Sequence, residues 1–284
     1  MNRDDNAAIL DEAAKHPRLV ARCVSQWAYF PGALRIMRYA AEKRFGRILE
    51  VEAEYLHSSD LNPDKPLNWK RQAKFCGEYG CMGDLGMHAL FIPIRAGWVP
   101  SNVRAVLSNI REKRMDANRN CVACDTWDNA TILGEVPTPE GPFPMTLRLH
   151  RIAPGELNSW NLAVTGEKSC AKFSLKYPRT LETLSYERGG PQVWAREDLG
   201  YESAYKTIAG AIFEFGYADA FQQMLAAFCD QVAKGPDTRL PFGCVTPEET
   251  RIQHAILTAA LESQARGAVA KVAFSAISGA AFTT

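Results

Sequence analysis

Asp84 and His88 stand four residues apart in the stretch GEYGCMGDLGMHAL, Gly77 to Leu90, which carries glycines at 77, 80, 83 and 86. At helical spacing such a pair shares one face, with Cβ atoms ~5–6 Å apart. A carboxylate beside an imidazole fixes its tautomer and raises its pKa above the usual ~6.5. An imidazole held in this way takes the proton of a substrate hydroxyl as the neighbouring carbon gives up a hydride, or returns it in reduction. The plainer reading is an aspartate at a helix start and a packed histidine, and the spacing leaves both open. Trp69 and Arg71, in NWKRQ, have the chemistry to hold a polyhydroxylated ligand. The indole stacks on a sugar face and the guanidinium donates to hydroxyls or a carboxylate. Arg71 reads equally well as a solvated surface residue. His57, His150 and His254 read as structural, and His16 as a surface residue at a helix end.

The glycines do not form a nucleotide loop. A dinucleotide fingerprint needs G-x-G-x-x-G between a strand and a helix, so that backbone amides approach a pyrophosphate. No two glycines in this chain stand two apart, and there is no G-x4-G-K-[ST] loop. Gly77 and Gly80 read as a turn; Gly83 and Gly86 would leave room for backbone or ligand beside Asp84. Cys121 and Cys124 form the one close cysteine pair, without a second pair or a His-x3-His to complete a zinc site. Reduced thiols and no metal are expected there. The 33 basic residues nearly balance the 32 acidic ones, which gives no field for nucleic acid or an anionic membrane. The start MNRDDNAAIL has no apolar signal region, and no apolar run approaches the ~18 residues of a membrane span, so a cytoplasmic location is expected.

Hydrophobic period gives the elements that must position these residues. Residues 5–16 read as a short helix, and Arg18 to Trp27 as an apolar strand buried on both faces, as in a parallel sheet. Pro31 fits the first turn of a helix through Arg44 that Gly46 ends. From Ile48 the period is two: Leu49, Val51, Ala53 and Tyr55 alternate with Glu50, Glu52 and Glu54. Further strands are read at Val103 to Ile110, Asn129 to Val136, Met145 to Arg151, Trp160 to Thr165 and Ala171 to Leu175, the last two flanking the hairpin loop GEKS. A late helix has Phe221, Met224, Leu225, Phe228 and Val232 on one stripe. The last helix opens on a capping box of Thr246 and Glu249, with Pro247 at its first position, and closes at Gly267. Strand following strand with little helix between them points to a largely antiparallel sheet.

The order of these features resembles the Gfo/Idh/MocA (glucose–fructose oxidoreductase / inositol dehydrogenase) family. It is carried by YFPGALRIMRYAAEKRFGRILEV, NWKRQ, the D-x-G-x-H of Asp84, Gly86 and His88, GWVPSNVRAV, DNATILGEV, NLAVTGEKSCAKFSL and the TPEET helix. It covers residues 6–272. The resemblance implies an α+β fold: a large, mostly antiparallel open sheet with helices on one face, preceded by a remnant of a Rossmann α/β domain. On that reading residues 1–30 are the last helix and strand of the nucleotide-binding domain, 31–272 the substrate and dimerisation domain, and 273–284 a loose tail. It implies NAD or NADP as cofactor, a sugar, cyclitol or related polyol as substrate, and a homodimer formed through the sheet. His88 and Asp84 are then catalytic, and Trp69 and Arg71 bind substrate. The family's phosphate loop and its Glu-Lys-Pro lysine have no counterpart here, since the one Lys-Pro, at Lys65, reads as a loop. The chain alone is therefore expected not to bind the cofactor. It reads as a truncated oxidoreductase or the partner of a separate Rossmann-domain chain, with a non-enzymatic sugar-binding or dimerisation module as the alternative.

Overall fold

The computed structural model describes residues 2–274 apart from 200, 201, 211, 237 and 239–242. Helix α1 (Arg3–Lys15) is capped by Asn2 and leads through an extended segment to a 3-10 turn (Gln26–Tyr29) and helix α2 (Pro31–Ala41). Strand β1 (Ile48–Leu56) follows, then a 3-10 turn at Trp69–Arg71 and the short helix α3 (Ala73–Cys76). A π-helical turn (Met82–Gly86) runs into α4 (Met87–Ala89) and α5 (Phe91–Arg95). Next come β2 (Asn102–Ser108), the hairpin β3 (Lys113–Met115) and β4 (Cys121–Ala123), β5 (Asn129–Val136), β6 (Phe143–His150), β7 (Ser159–Gly166), β8 (Ser169–Ser174), β9 (Thr180–Ser185) and β10 (Ala195–Asp198). Helices α6 (Tyr217–Lys234) and α7 (Pro247–Arg266) and the short β11 (Ala270–Lys271) complete the described chain.

Nine strands form one sheet in the order β10-β9-β8-β7-β1-β6-β5-β2-β11. Every pairing is antiparallel except β1 with β6, where Val51 lies opposite Met145. Period-two alternation turns Val51, Ala53, Ile132, Leu147, Leu149, Leu162 and Val164 inward, against Ile36, Leu85, Leu90, Ile256 and Leu257 of the helical layer. Each such Val, Leu or Ile side chain contributes about 1.5–3 kcal/mol when fully buried. The fold is α+β, with a large, mostly antiparallel sheet. Thr246, accepting from the Glu249 amide at 3.2 Å, caps α7, and Gly267 ends it at φ 63°.

The structure departs from the sequence reading in four places. Residues 18–27 form no strand in the sheet: one backbone bridge joins Cys23 to Val245, while Leu19 and Val24 face solvent. The apolar run divides its work, because its end winds into the 3-10 turn, and Trp27 to Phe30 join the same core as the sheet. Leu49 is exposed, because the pairing slips between Ile48 and Glu50 and turns it to the outer face. On α6 the buried face is rotated toward Ala220, Gln223, Met224, Ala227 and Gln231, leaving Leu225 and Val232 outside. Two glutamines hold that face. Gln223 accepts from the Tyr205 amide, and Gln231 accepts from Arg22 Nε at 2.9 Å. Finally, β3, β4, β9, β10 and β11 are short or carry no clear period, and the sequence reading does not contain them. From residue 275 the tail lies outside the described residues.

Candidate active site

Parallel pairing of β1 and β6 brings the C-terminal ends of both strands to one edge of the sheet. Tyr55 and His57 lie at the end of β1, and Arg151 follows β6. Against this edge the chain packs the π-helical turn that carries Asp84 and the short α4 that carries His88. A cavity of about 440 Å³ opens between them, lined by polar groups that include His57, Lys70, Asp84, His88, Arg151 and Asn158. Trp27 and Tyr217 form its aromatic wall, edge to face with centroids 5.4 Å apart.

The π turn explains why Asp84 and His88 do not pair as on a regular helix. With a wider turn, residues four apart no longer stack, and such turns recur at functional sites. Asp84 instead meets two cations: Lys70 Nζ at 2.8 Å and the Arg151 guanidinium. Burial would raise the Asp84 carboxyl, but Arg151 and Lys70 outweigh it and hold the group below the usual carboxylate range. Arg151 continues to Asp60, which lies 2.8 Å from Lys65, so the site's carboxylate lies within a chain of alternating charges from Lys70 to Lys65. The His88 Nδ1 lies 3.4 Å from the Ser25 hydroxyl. Burial drives its pKa down to about 4; Asp84 opposes this, and Lys70 and His57 add to it. The imidazole is therefore neutral at pH 7, which corrects the expectation of a raised pKa. Asp84 still acts on His88 in the expected direction, but desolvation is the larger effect.

The backbone around His88 is held from both layers. Trp160 Nε1 donates to the His88 carbonyl at 3.2 Å, and Gln253 Nε2 donates to the Met87 carbonyl at 2.8 Å. The short helices leave those carbonyls without regular helical partners, and the two side chains satisfy them. Gly86 serves packing, not a ligand: a Cβ there would lie 2.9 Å from Leu149 Cδ1 and 3.5 Å from Leu257 Cδ2. Gly80, at φ +56°, turns the chain tightly past the Trp127 backbone. Of the two glycines beside Asp84, Gly83 alone borders a cavity.

Trp69 is 56% exposed and stands at the cavity rim with Lys70 Nζ 5.6 Å from its ring centroid. Arg71 is neither a ligand group nor a surface residue. It is 0% exposed, ion-paired with Asp128 at 2.6 Å and hydrogen-bonded to Thr126 and Asn109. Within one tight turn, consecutive side chains diverge, and Arg71 is the one that faces inward. Lys70, Arg151, His57, Asn158 and Tyr217 are cavity residues that sequence reasoning missed. Proximity of Lys70 to Trp69 was the one local signal; the others depend on long-range pairing. His150 faces Thr131 on the sheet, His16 is exposed beside Glu12, and His254 is buried in α7. All eight cysteines are free thiols, Cys121 exposed and Cys124 buried. Among the described residues no cluster of His, Cys, Asp and Glu could hold a metal, and no helix is long and apolar enough to cross a membrane.

Across Lys70, Asp84 and His88 lies a second, more apolar cavity of about 370 Å³, reaching Ile9, Val24 and Met87. The sequence holds no G-x-G-x-x-G or G-x4-G-K-[ST] loop, so among the described residues neither cavity is lined by one. The residues present do not fit a whole dinucleotide.

No family model matches the chain. The levoglucosan dehydrogenase of Pseudarthrobacter phenanthrenivorans is 28% identical over 140 residues, which are 49% of this chain and 33% of that protein. The match thus spans about a third of the relative's length. A solved levoglucosan dehydrogenase, in complex with NADH and L-sorbose, superposes with a TM-score of 0.80 at 20% identity over 96% of this chain and 70% of that one. An inositol dehydrogenase homolog from Azotobacter vinelandii, complexed with NAD+, gives 0.77 at 16% identity over 95% and 69%. With its nine-stranded sheet and the helices that carry Asp84 and His88, the chain has the fold of the Gfo/Idh/MocA-type oxidoreductases.

Proposed function

We propose that this chain supplies the substrate side of a nicotinamide-dependent oxidoreductase acting at an alcohol or carbonyl carbon of a sugar, cyclitol or related polyol. The observation that supports it is Asp84 and His88 opening on one polar cavity, in a fold shared with dehydrogenases solved with NADH or NAD+. In this reading NAD or NADP is held by a nucleotide-binding part not encoded in these residues, on the same chain or a separate one, and the steps below belong to this chain alone.

The ionised Asp84, with Lys70 and Arg151 beside it, orients substrate hydroxyls: the carboxylate accepts and the two cations donate. Neutral His88 accepts the proton of the reacting hydroxyl in oxidation and returns it in reduction. Its low pKa makes it a weak base on its own, and Asp84 is the group that lifts it. Trp69, at the cavity rim, offers its indole face for a sugar ring to stack on. In an enzyme completed with its nucleotide-binding part, His88→Ala lowers turnover by ~10²–10⁴-fold and leaves cofactor affinity nearly unchanged. Turnover equal to the parent would sink the assignment and leave the non-enzymatic sugar-binding module in its place.

We also propose that the outer face of the sheet pairs with a second copy. Val106 and Leu133 stand exposed there, on neighbouring strands that also present Arg104, Thr131, Glu135 and Arg148. A single apolar-centred face with a mixed rim suits an isologous interface. Sedimentation at micromolar concentration gives a dimer in this reading, and a monomer would remove it.

A further inference from the structure

The polar cavity does not end at its aromatic wall. On the far side of Trp27 and Tyr217 lies a groove of about 390 Å³ that shares Trp27, Asn158 and Tyr217 with it. Its character is different. Leu157, Leu175, Pro178 and Phe30 line it, and among the described residues its one charged lining residue, Lys176, is engaged 2.7 Å from Glu156. Leu157 is 85% exposed, so its side chain is open to a ligand in the groove. Tyr217, itself 56% exposed, presents its ring at the junction. Asn158 stands there too: its Oδ1 accepts from the Tyr55 hydroxyl at 2.9 Å, which leaves its amide NH2 to donate to a bridging oxygen.

A chamber of charges continuous with an apolar groove fits a molecule with the same division. We propose that the groove is a second subsite and that the substrate is a glycoside: the sugar ring lies in the polar cavity, the glycosidic oxygen at Asn158, and an apolar aglycone on Leu157, Leu175 and Pro178. This rests on the polyol-binding reading above and adds what lies attached to the polyol. A second sugar ring is the less favoured occupant, because the groove offers few free polar groups to its hydroxyls while Lys176 is engaged.

Calorimetric titration of the full chain with paired methyl and phenyl β-D-glycosides of glucose, galactose and mannose, and with cellobiose, tests it. The methyl glycosides test the polar cavity by themselves. For any sugar that binds, the phenyl glycoside binds about tenfold tighter than the methyl, from burial of the ring on the groove. Leu157→Asp, a change at an exposed position that does not disturb the core, brings the phenyl-to-methyl ratio to about one. Equal affinities in the parent, or a ratio unmoved by Leu157→Asp, overturn the subsite while leaving the polyol reading intact. Cellobiose matching the phenyl gain overturns the apolar aglycone in favour of a second sugar. Failure of every methyl glycoside removes the polyol reading, and the subsite with it.

Discussion

Lys70 and Arg71 are consecutive cations on one 3-10 turn, and each has a carboxylate within 3 Å, yet they belong to different worlds. Arg71 and Asp128 are both fully buried, and Asp128 also accepts from the Arg111 amide at 2.7 Å. Lys70 and Asp84 are each about a third exposed at a cavity. A buried pair is costly to break because the survivor is left charged and unsolvated. A pair at a cavity contributes little to stability, since water and a ligand can replace either partner. Replaceability is what a binding site needs, and in the function proposed above the weaker pair is the one that meets the ligand.

Four measurements break or sharpen that contrast. Arg71→Met strands Asp128 and should cost about 3–5 kcal/mol in chemical denaturation; a loss under 1 kcal/mol would mean the buried pair is no anchor.

The second is a pH effect. His88 and His254 each have pKa values lowered to about 4, chiefly by burial, against ~6.5 for an exposed imidazole. The unfolded chain therefore binds more protons between these values, so stability is full above pH ~6.5 and falls as pH drops toward 4. Each histidine contributes up to about 3 kcal/mol of that slope. His254→Gln should flatten it in denaturation series from pH 7 to 4.5, and an unchanged slope would place the titration elsewhere. Asp84, with its lowered pKa, stays ionised throughout this window.

Third, Asp84→Asn removes the carboxylate at the cavity and should weaken polyol binding about tenfold, or ~1.4 kcal/mol, by calorimetry. It also lowers the His88 pKa further, because Asp84 is the group that raises it. Smallest of all, Lys70→Met should change stability by less than ~1 kcal/mol. A loss as large as that of Arg71→Met would erase the distinction between the two pairs.

What was legible in the sequence follows the same division between local and distant causes. The α7 capping box and the alternation of β5 and β6 are local, and the structure reproduces them. Asp84 and His88 could be singled out because glycine spacing marks their turn. That the turn is π-helical, and so separates them, is marked by no local pattern. Arg71 shows the limit most plainly. No local pattern says which of two adjacent cations faces Asp128, which is 57 positions further along and meets the turn only through tertiary packing. Gln223 and Gln231 mislead for a related reason: polar residues are read as surface, yet satisfied hydrogen bonds let them take the buried face of α6.

The parallel register of β1 with β6 has a kinetic consequence. Val51 cannot find Met145 until the intervening chain, with its own turns and hairpin, has closed into a long loop. The antiparallel neighbours β5–β6 and β7–β8 have far shorter loops to close. Contacts of high sequence separation form late, since loop entropy opposes them before they yield any stabilisation. The edge where Tyr55 and His57 meet Arg151 exists only after that closure, so the cavity is among the last parts of the molecule to be assembled. In a refolding experiment, ligand competence would return with the slowest phase, well after most of the sheet's circular dichroism has recovered.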